Sequence, residues 1–161
     1  MASQLYGMIR IQPVDPAAKE VRLMRTVIVY SSILGTTKKY AMWLREALEA
    51  DVSRANAGRV SALNYDLIIV CSPTYMGQIR LLGYLKKRWK VLQGKWVILI
   101  AVGMAPPESP DSRRSFEKIP EEIRSRIRYF KLPGKIGPSG KAAVKQENLQ
   151  PVLEYIRTIR G

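Results

Sequence analysis

Apolar and polar positions along this chain fall into two kinds of block. Some are short, nearly continuous apolar runs; others are longer stretches in which apolar residues recur every three or four positions. The runs Thr26 to Tyr30, Tyr65 to Cys71 and Lys95 to Val102 predict strands, the latter two covered by helices on both faces. A short second strand is predicted near Asp51 to Ser53, followed by a polar connection to Asn64, and a last strand near Ile127 to Leu132. Helical spacing predicts Thr37 to Ala50, with Tyr40, Ala41, Leu44, Ala47 and Leu48 inward and Lys38, Lys39, Arg45 and Glu49 wet. It also predicts Ile79 to Leu92, with Leu81, Leu82, Leu85, Trp89 and Leu92 inward. A polar helix near Ser115 to Arg126 and a closing one around Gln150 to Ile159 complete the pattern, and a Pro-rich loop from Gly103 to Pro110 separates the fourth strand from its helix. Trp43, Trp89 and Trp96 stand at core-like spacings, which speaks against an aromatic stacking platform.

Five strands alternating with helices imply an α/β fold, a doubly wound parallel sheet built from right-handed crossovers. Ligands of such sheets sit at the carboxyl ends of the strands, so the loops after strands one, three and four are where function is expected. Residues 1–25 lack this periodicity and contain Pro13 and Pro16, so they read as an N-terminal extension to a domain spanning 26–161. Met24 stands just before the first strand, separated from it by Arg25, which makes the extension either an added segment or an upstream translation start.

Length and composition fit one core, at 161 residues and 47% apolar. No apolar run approaches the ~20 residues of a membrane span. Pro13, Asp15, Lys19 and Glu20 break any signal-peptide core, so a cytoplasmic protein is expected. The lone cysteine, Cys71, ends an apolar run and reads as a core residue. Histidine is absent, which excludes Ser-His-Asp hydrolysis, and with one cysteine and no carboxylate cluster a metal site has no support.

Charge changes the picture more. Lys and Arg number 27 against 13 Asp and Glu, a net charge of +14. Leu67 to Pro107 holds no acid but carries Arg80, Lys86, Lys87, Arg88, Lys90 and Lys95; Ile123 to Gln146 is likewise acid-free. Either this is a solvated surface, or it faces an acidic protein, an anionic membrane to which the protein is peripheral, or nucleic acid.

The loop after the first strand, Tyr30-Ser31-Ser32-Ile33-Leu34-Gly35-Thr36-Thr37, sets hydroxyls and a glycine at a helix start. Such a loop either caps its helix or cradles an anion on free N–H groups. It lacks the G-x-G-x-x-G dinucleotide fingerprint. Gly134 to Lys141, G-K-I-G-P-S-G-K, imitates a nucleotide-binding loop, but five residues separate Gly134 from Gly140 where the motif needs four, and Ala142 replaces the magnesium-binding hydroxyl. A mobile basic connection to the last helix is expected there.

Y-S-S-I-L-G-T-T-K-K-Y-A resembles the phosphate loop of flavodoxins, with Ser32, Gly35 and Thr37 on the positions that hold the phosphate of flavin mononucleotide (FMN). Ser72-Pro73-Thr74-Tyr75-Met76-Gly77 is similar to the family's strand-three loop, and Val102-Gly103-Met104-Ala105-Pro106-Pro107 to the loop that closes over the other side of the ring. This loop and the segment Ile127 to Lys135 look closest to the flavodoxin domains that include menaquinone-coupled protoporphyrinogen oxidases.

The resemblance implies a three-layer sandwich with strand order 2-1-3-4-5 and an FMN site. Ser31 to Thr37 would hold the phosphate; Pro73, Thr74, Tyr75, Met76, Gly77, Gly103, Met104 and Ala105 would meet the ring. Tyr75 is the stacking candidate, and Gly77 would offer backbone to the flavin N5. No side-chain acid or base is demanded, because the cofactor carries the redox chemistry. Two departures stand out: Ile33-Leu34 where the family favours polar residues, and a basic chain where electron-carrier flavodoxins are acidic. Basic surroundings favour the anionic reduced flavin and raise its potential. The implied function is an oxidoreductase or electron carrier serving a redox protein, a quinone or a porphyrinogen-derived chain. The alternative is a non-catalytic module using its basic faces to bind nucleic acid, anionic membrane or an acidic protein.

Overall fold

The computed structural model describes residues 24–58, 61–134 and 143–161. The expected extension, apart from Met24 and Arg25, and the segment after Gly134 through Ala142 lie outside these residues.

Strict alternation within the apolar runs builds two cores on one sheet. In Thr26–Tyr30 (β1), Leu67–Tyr75 (β3) and Trp96–Gly103 (β5), successive side chains point to opposite faces. Ile28, Leu67, Ile69, Cys71, Ile98 and Ile100 therefore pack on one side against Tyr40, Ala41 and Leu44 of Thr36–Leu48 (α1) and Val152 and Ile156 of Gln150–Arg160 (α5). Val27, Val29, Ile68, Val70, Val97 and Leu99 pack on the other against Leu85, Trp89 and Leu92 of Leu82–Leu92 (α2), with Ile119 and Ile123 beside them. The parallel sheet runs β2, β1, β3, β5, β6, where β2 is Asp51–Arg54 and β6 is Arg128–Pro133. This is the expected 2-1-3-4-5 order, with one addition, a two-residue strand, Gln78–Ile79 (β4), antiparallel to the end of β3. Cys71 is fully buried, as expected, and burial pushes its thiol up to about 12.

Several boundaries differ from expectation. Ser72 to Tyr75 continue β3 rather than forming a loop. Pro73 is tolerated because β1 has already ended, its last pair being Tyr30 with Cys71, so the missing N–H leaves no ladder bond unmade. The chain then reverses through Met76 and Gly77, so Ile79 lies in β4 and the helix expected from Ile79 begins at Leu82. The helix expected over Ser115 to Arg126 is two, Pro110–Glu117 (α3) and Glu121–Arg124 (α4). Ser109 caps the first by accepting from the Ser112 N–H at 3.2 Å, with Pro110 at the first helical position, and Pro120 ends the run. Ala47 is exposed at the edge of the α1 stripe, and Trp96, opening β5 at the amino-terminal edge of the sheet, is 47% exposed rather than core.

Among the described residues no helix is long and apolar enough to cross a membrane.

Candidate functional site

Three strands end side by side at the carboxyl edge of the sheet, and their registers bring the three expected loops together. Tyr30 pairs with Cys71, Pro73 with Val102, and Gly103 with Pro133. The Ser31 N–H donates to the Cys71 carbonyl at 3.2 Å, which fixes where the first loop leaves the sheet.

That loop turns through Gly35, whose φ of 90° is in the left-handed region, where a side chain would be strained. The Ser32 hydroxyl oxygen accepts from the N–H of Gly35 at 3.1 Å and of Lys38 at 3.3 Å. It thus serves as a surrogate cap from outside the helix, since Gly35 itself has no side chain to cap with. First-turn N–H groups have no partner inside their own helix, and α1 has no acidic residue in its first turn to compete for them. Thr37 is buried, whereas Ser31, Ser32 and Thr36 are partly accessible. The oxygen of Ser32 occupies two N–H donors of the kind that an anion would use, so an anion bound through those two would displace it.

The second loop is a tight hairpin. Met76 and Gly77 have φ of 52° and 75°, and Tyr75 and Thr74 pair with Gln78 and Ile79, the two-residue turn with both central residues left-handed. Met76 is a non-glycine residue in this region, a cost on the order of 1 kcal/mol. Gly77 is buried, near the Asp111 carbonyl and the Arg114 guanidinium of α3. The turn throws Tyr75 and Met76 outward, 75% and 79% exposed.

The third loop leaves β5 at Gly103, where the backbone is crowded. A Cβ there would lie 1.9 Å from Thr74 Oγ1, which itself donates to the Val102 carbonyl at 3.2 Å. One at Gly134 would lie 3.2 Å from the Gly103 backbone. Gly134 N–H donates to the Gly103 carbonyl at 3.0 Å, tying β6 to this loop. The Ala105 carbonyl accepts from Ser112 Oγ at 3.2 Å and from the Lys131 ammonium, and Lys131 also donates to the Gly103 carbonyl at 3.3 Å. Lys131 is half-buried, and burial pulls its pKa below the ordinary lysine value. In the sequence Lys131 is only one charge of the acid-free stretch Ile123 to Gln146. The available signal was a lysine on the face of β6 that also carries Tyr129, near the strand's carboxyl end.

Five of the eight exposed large apolar residues among the described residues, Ile33, Leu34, Tyr75, Met76 and Met104, sit on these three loops. Scattered apolar residues need no account, but a collar on one edge does. Ile33 and Leu34, read from sequence as departures from the phosphate-loop pattern, belong to it. All of the expected site residues, Ser31 to Thr37, Pro73 to Gly77 and Gly103 to Ala105, lie on this edge. It offers an anion-compatible helix start beside apolar and aromatic side chains, which fits a ligand with an anionic tail and a flat apolar body, as FMN has. The cradle at Gly35, where a Cβ would meet nothing within 4 Å, leaves room for the tail.

A family profile described as flavodoxin domain matches residues 27–153. The chain is similar to the solved structure of Trp repressor binding protein from Bacillus subtilis, at 13% identity and a TM-score of 0.56, covering 78% of this chain and 96% of that one. It is similar also to the flavodoxin of Fusobacterium nucleatum bound to flavin mononucleotide, at 18% identity and a TM-score of 0.52, covering 86% and 98%. No curated protein matches the chain. The two structures speak for the fold, and the match over 27–153, which includes all three loops, establishes that the chain belongs to the flavodoxin domain family.

Proposed function

We propose that this protein binds FMN at the three-loop edge and works as an oxidoreductase or electron carrier. The observation that carries the reading is the collar of Ile33, Leu34, Tyr75, Met76 and Met104 set beside the Ser32–Gly35 helix start. Membership of the family and the FMN complex of the Fusobacterium flavodoxin support the choice of ligand.

Bound FMN supplies the electron-accepting and electron-donating chemistry; the chain supplies position and environment. Ser32, Gly35 and the first-turn amides of α1 hold the phosphate. Tyr75 would stack on the ring, and Met76 and Met104 would keep water from it. Gly77 would leave the backbone beside the bound group free to adapt its hydrogen bonding, since glycine tolerates the rotation. Lys131 holds the carbonyls of Gly103 and Ala105 and would set a positive charge beside the bound group, which would favour its reduced, anionic form.

The finer reading is a quinone- or porphyrinogen-linked reaction, supported by the likeness of the Gly103 to Pro107 loop and the Ile127 to Lys135 segment to protoporphyrinogen oxidase domains. Its test is stopped-flow oxidation of the dithionite-reduced, FMN-loaded protein by a soluble naphthoquinone. Saturable oxidation, faster than that of free reduced FMN, is expected. Rates no greater than those of free FMN refute the quinone link.

A further inference from the structure

On the flank of the same edge, beyond the β4 turn, lies a groove of about 580 Å3 lined by Gln78, Ile79, Arg80, Leu82, Gly83, Lys86, Lys87 and Lys118. Four of these residues are cationic and none is acidic. No ion pair engages Arg80, Lys86, Lys87 or Lys118 among the described residues, whereas Arg114 nearby is tied to Asp111. All four are exposed. Like charges gathered around one concavity repel one another, and the packing of α2 does not require Lys86 or Lys87, since its buried contacts are made by Leu85, Trp89 and Leu92. Such a cluster is relieved when an anionic surface covers it.

We infer that this groove is the docking face for a carboxylate-rich protein that exchanges electrons with the site. The inference rests on the reading of the Tyr75–Gly77 hairpin as the ring-side edge. Gln78 and Ile79 are shared: they pair with Tyr75 and Thr74 and they also wall the groove, so a partner seated there abuts that edge. A protein surface fits better than single-stranded nucleic acid, because no aromatic residue lines the groove to stack on bases. It fits better than a membrane, because Ile79 is buried and Leu82 half-buried, so the groove's own lining offers no large apolar side chain to insert. Complementary charge would steer the encounter and make it sensitive to salt.

The test uses the full chain loaded with FMN and three probes: poly-L-glutamate, duplex DNA of matched charge, and phosphatidylglycerol vesicles. Two charge-reversed pairs are compared, K86E/K87E in the groove and K95E/R126E, whose residues line a concavity at the opposite end of the sheet with Asp66 and Trp96. Expected is poly-L-glutamate binding that weakens by about tenfold or more in K86E/K87E, by about twofold or less in K95E/R126E, and steeply with added salt. Equal losses in the two pairs would mean that net charge alone acts, and would overturn the proposal. So would tighter binding of DNA or vesicles than of poly-L-glutamate through Lys86 and Lys87. An FMN titration of each variant separates the two readings. Unchanged FMN affinity with no groove-specific loss refutes the docking face alone, and failure of the parent chain to bind FMN refutes the site on which it rests.

Discussion

Replacing Gly103 with alanine tests how tightly the site's backbone is packed. The added Cβ would lie 1.9 Å from Thr74 Oγ1, with the next neighbours at 3.4 and 3.5 Å, which are ordinary contacts. Only the hydroxyl is in the way, so Thr74 must rotate about χ1 and surrender its hydrogen bond to the Val102 carbonyl. The lost bond costs about 0.5–1.5 kcal/mol and the poorer rotamer about as much again. Gly103 does not have a left-handed φ, so alanine also returns about 0.4–1 kcal/mol by restricting the unfolded chain. The net expectation is a loss of about 1–2 kcal/mol. In a Thr74→Ala background the obstacle is gone, and the same Gly103→Ala change becomes neutral or slightly stabilising, a coupling of about 2 kcal/mol. Urea denaturation of the four proteins, followed by tryptophan fluorescence, measures this cycle. A neutral Gly103→Ala in the parent, or the same cost in both backgrounds, refutes the close approach of β3 and β5 at the site.

Other residues make separate demands. Ser32→Ala removes the acceptor for the Gly35 and Lys38 N–H groups, so chemical denaturation should show a loss of about 1 kcal/mol, and FMN titration a weaker complex. Lys131 has a lowered pKa in the folded state, so between that value and its ordinary 10.5 the unfolded chain binds more protons and stability rises with pH. The stability difference between the parent and Lys131→Met should therefore shift in the parent's favour as pH climbs towards 10.5; a difference independent of pH contradicts the burial of this ammonium. Cys71, buried with its thiol pushed up to about 12, should react with a disulfide reagent only as fast as the chain unfolds, and rapid native-state labelling contradicts its place in the core.

Much of this was legible in the sequence because the apolar runs are long and the sheet is covered on both faces. Continuous runs such as Leu67 to Cys71 announce central strands, and the Tyr40, Ala41, Leu44 spacing announces a buried helical stripe. The site residues were legible through resemblance, since the bare chemistry of Tyr30 to Thr37 left capping and anion binding open, and the structure shows Ser32 capping. What escaped was set by contacts between segments distant in sequence. The reversal at Met76 needs a methionine in a left-handed conformation, which no local propensity suggests. Ser109-Pro110 reads as loop until the serine is seen to cap α3. Lys131 acquires its role only when β6 is laid beside β5 and its ammonium reaches carbonyls 26 and 28 residues away.

FMN binding as proposed puts both ends of the ligand on one edge of the sheet, the phosphate at the α1 start and the ring between the apolar loop tips. Parallel titrations with FMN and riboflavin, read by quenching of flavin fluorescence, test it most directly. Quenching by both is expected, with an FMN affinity at least about tenfold higher, equivalent to about 1.4 kcal/mol for the phosphate. Equal affinities, or no quenching by either, would contradict it.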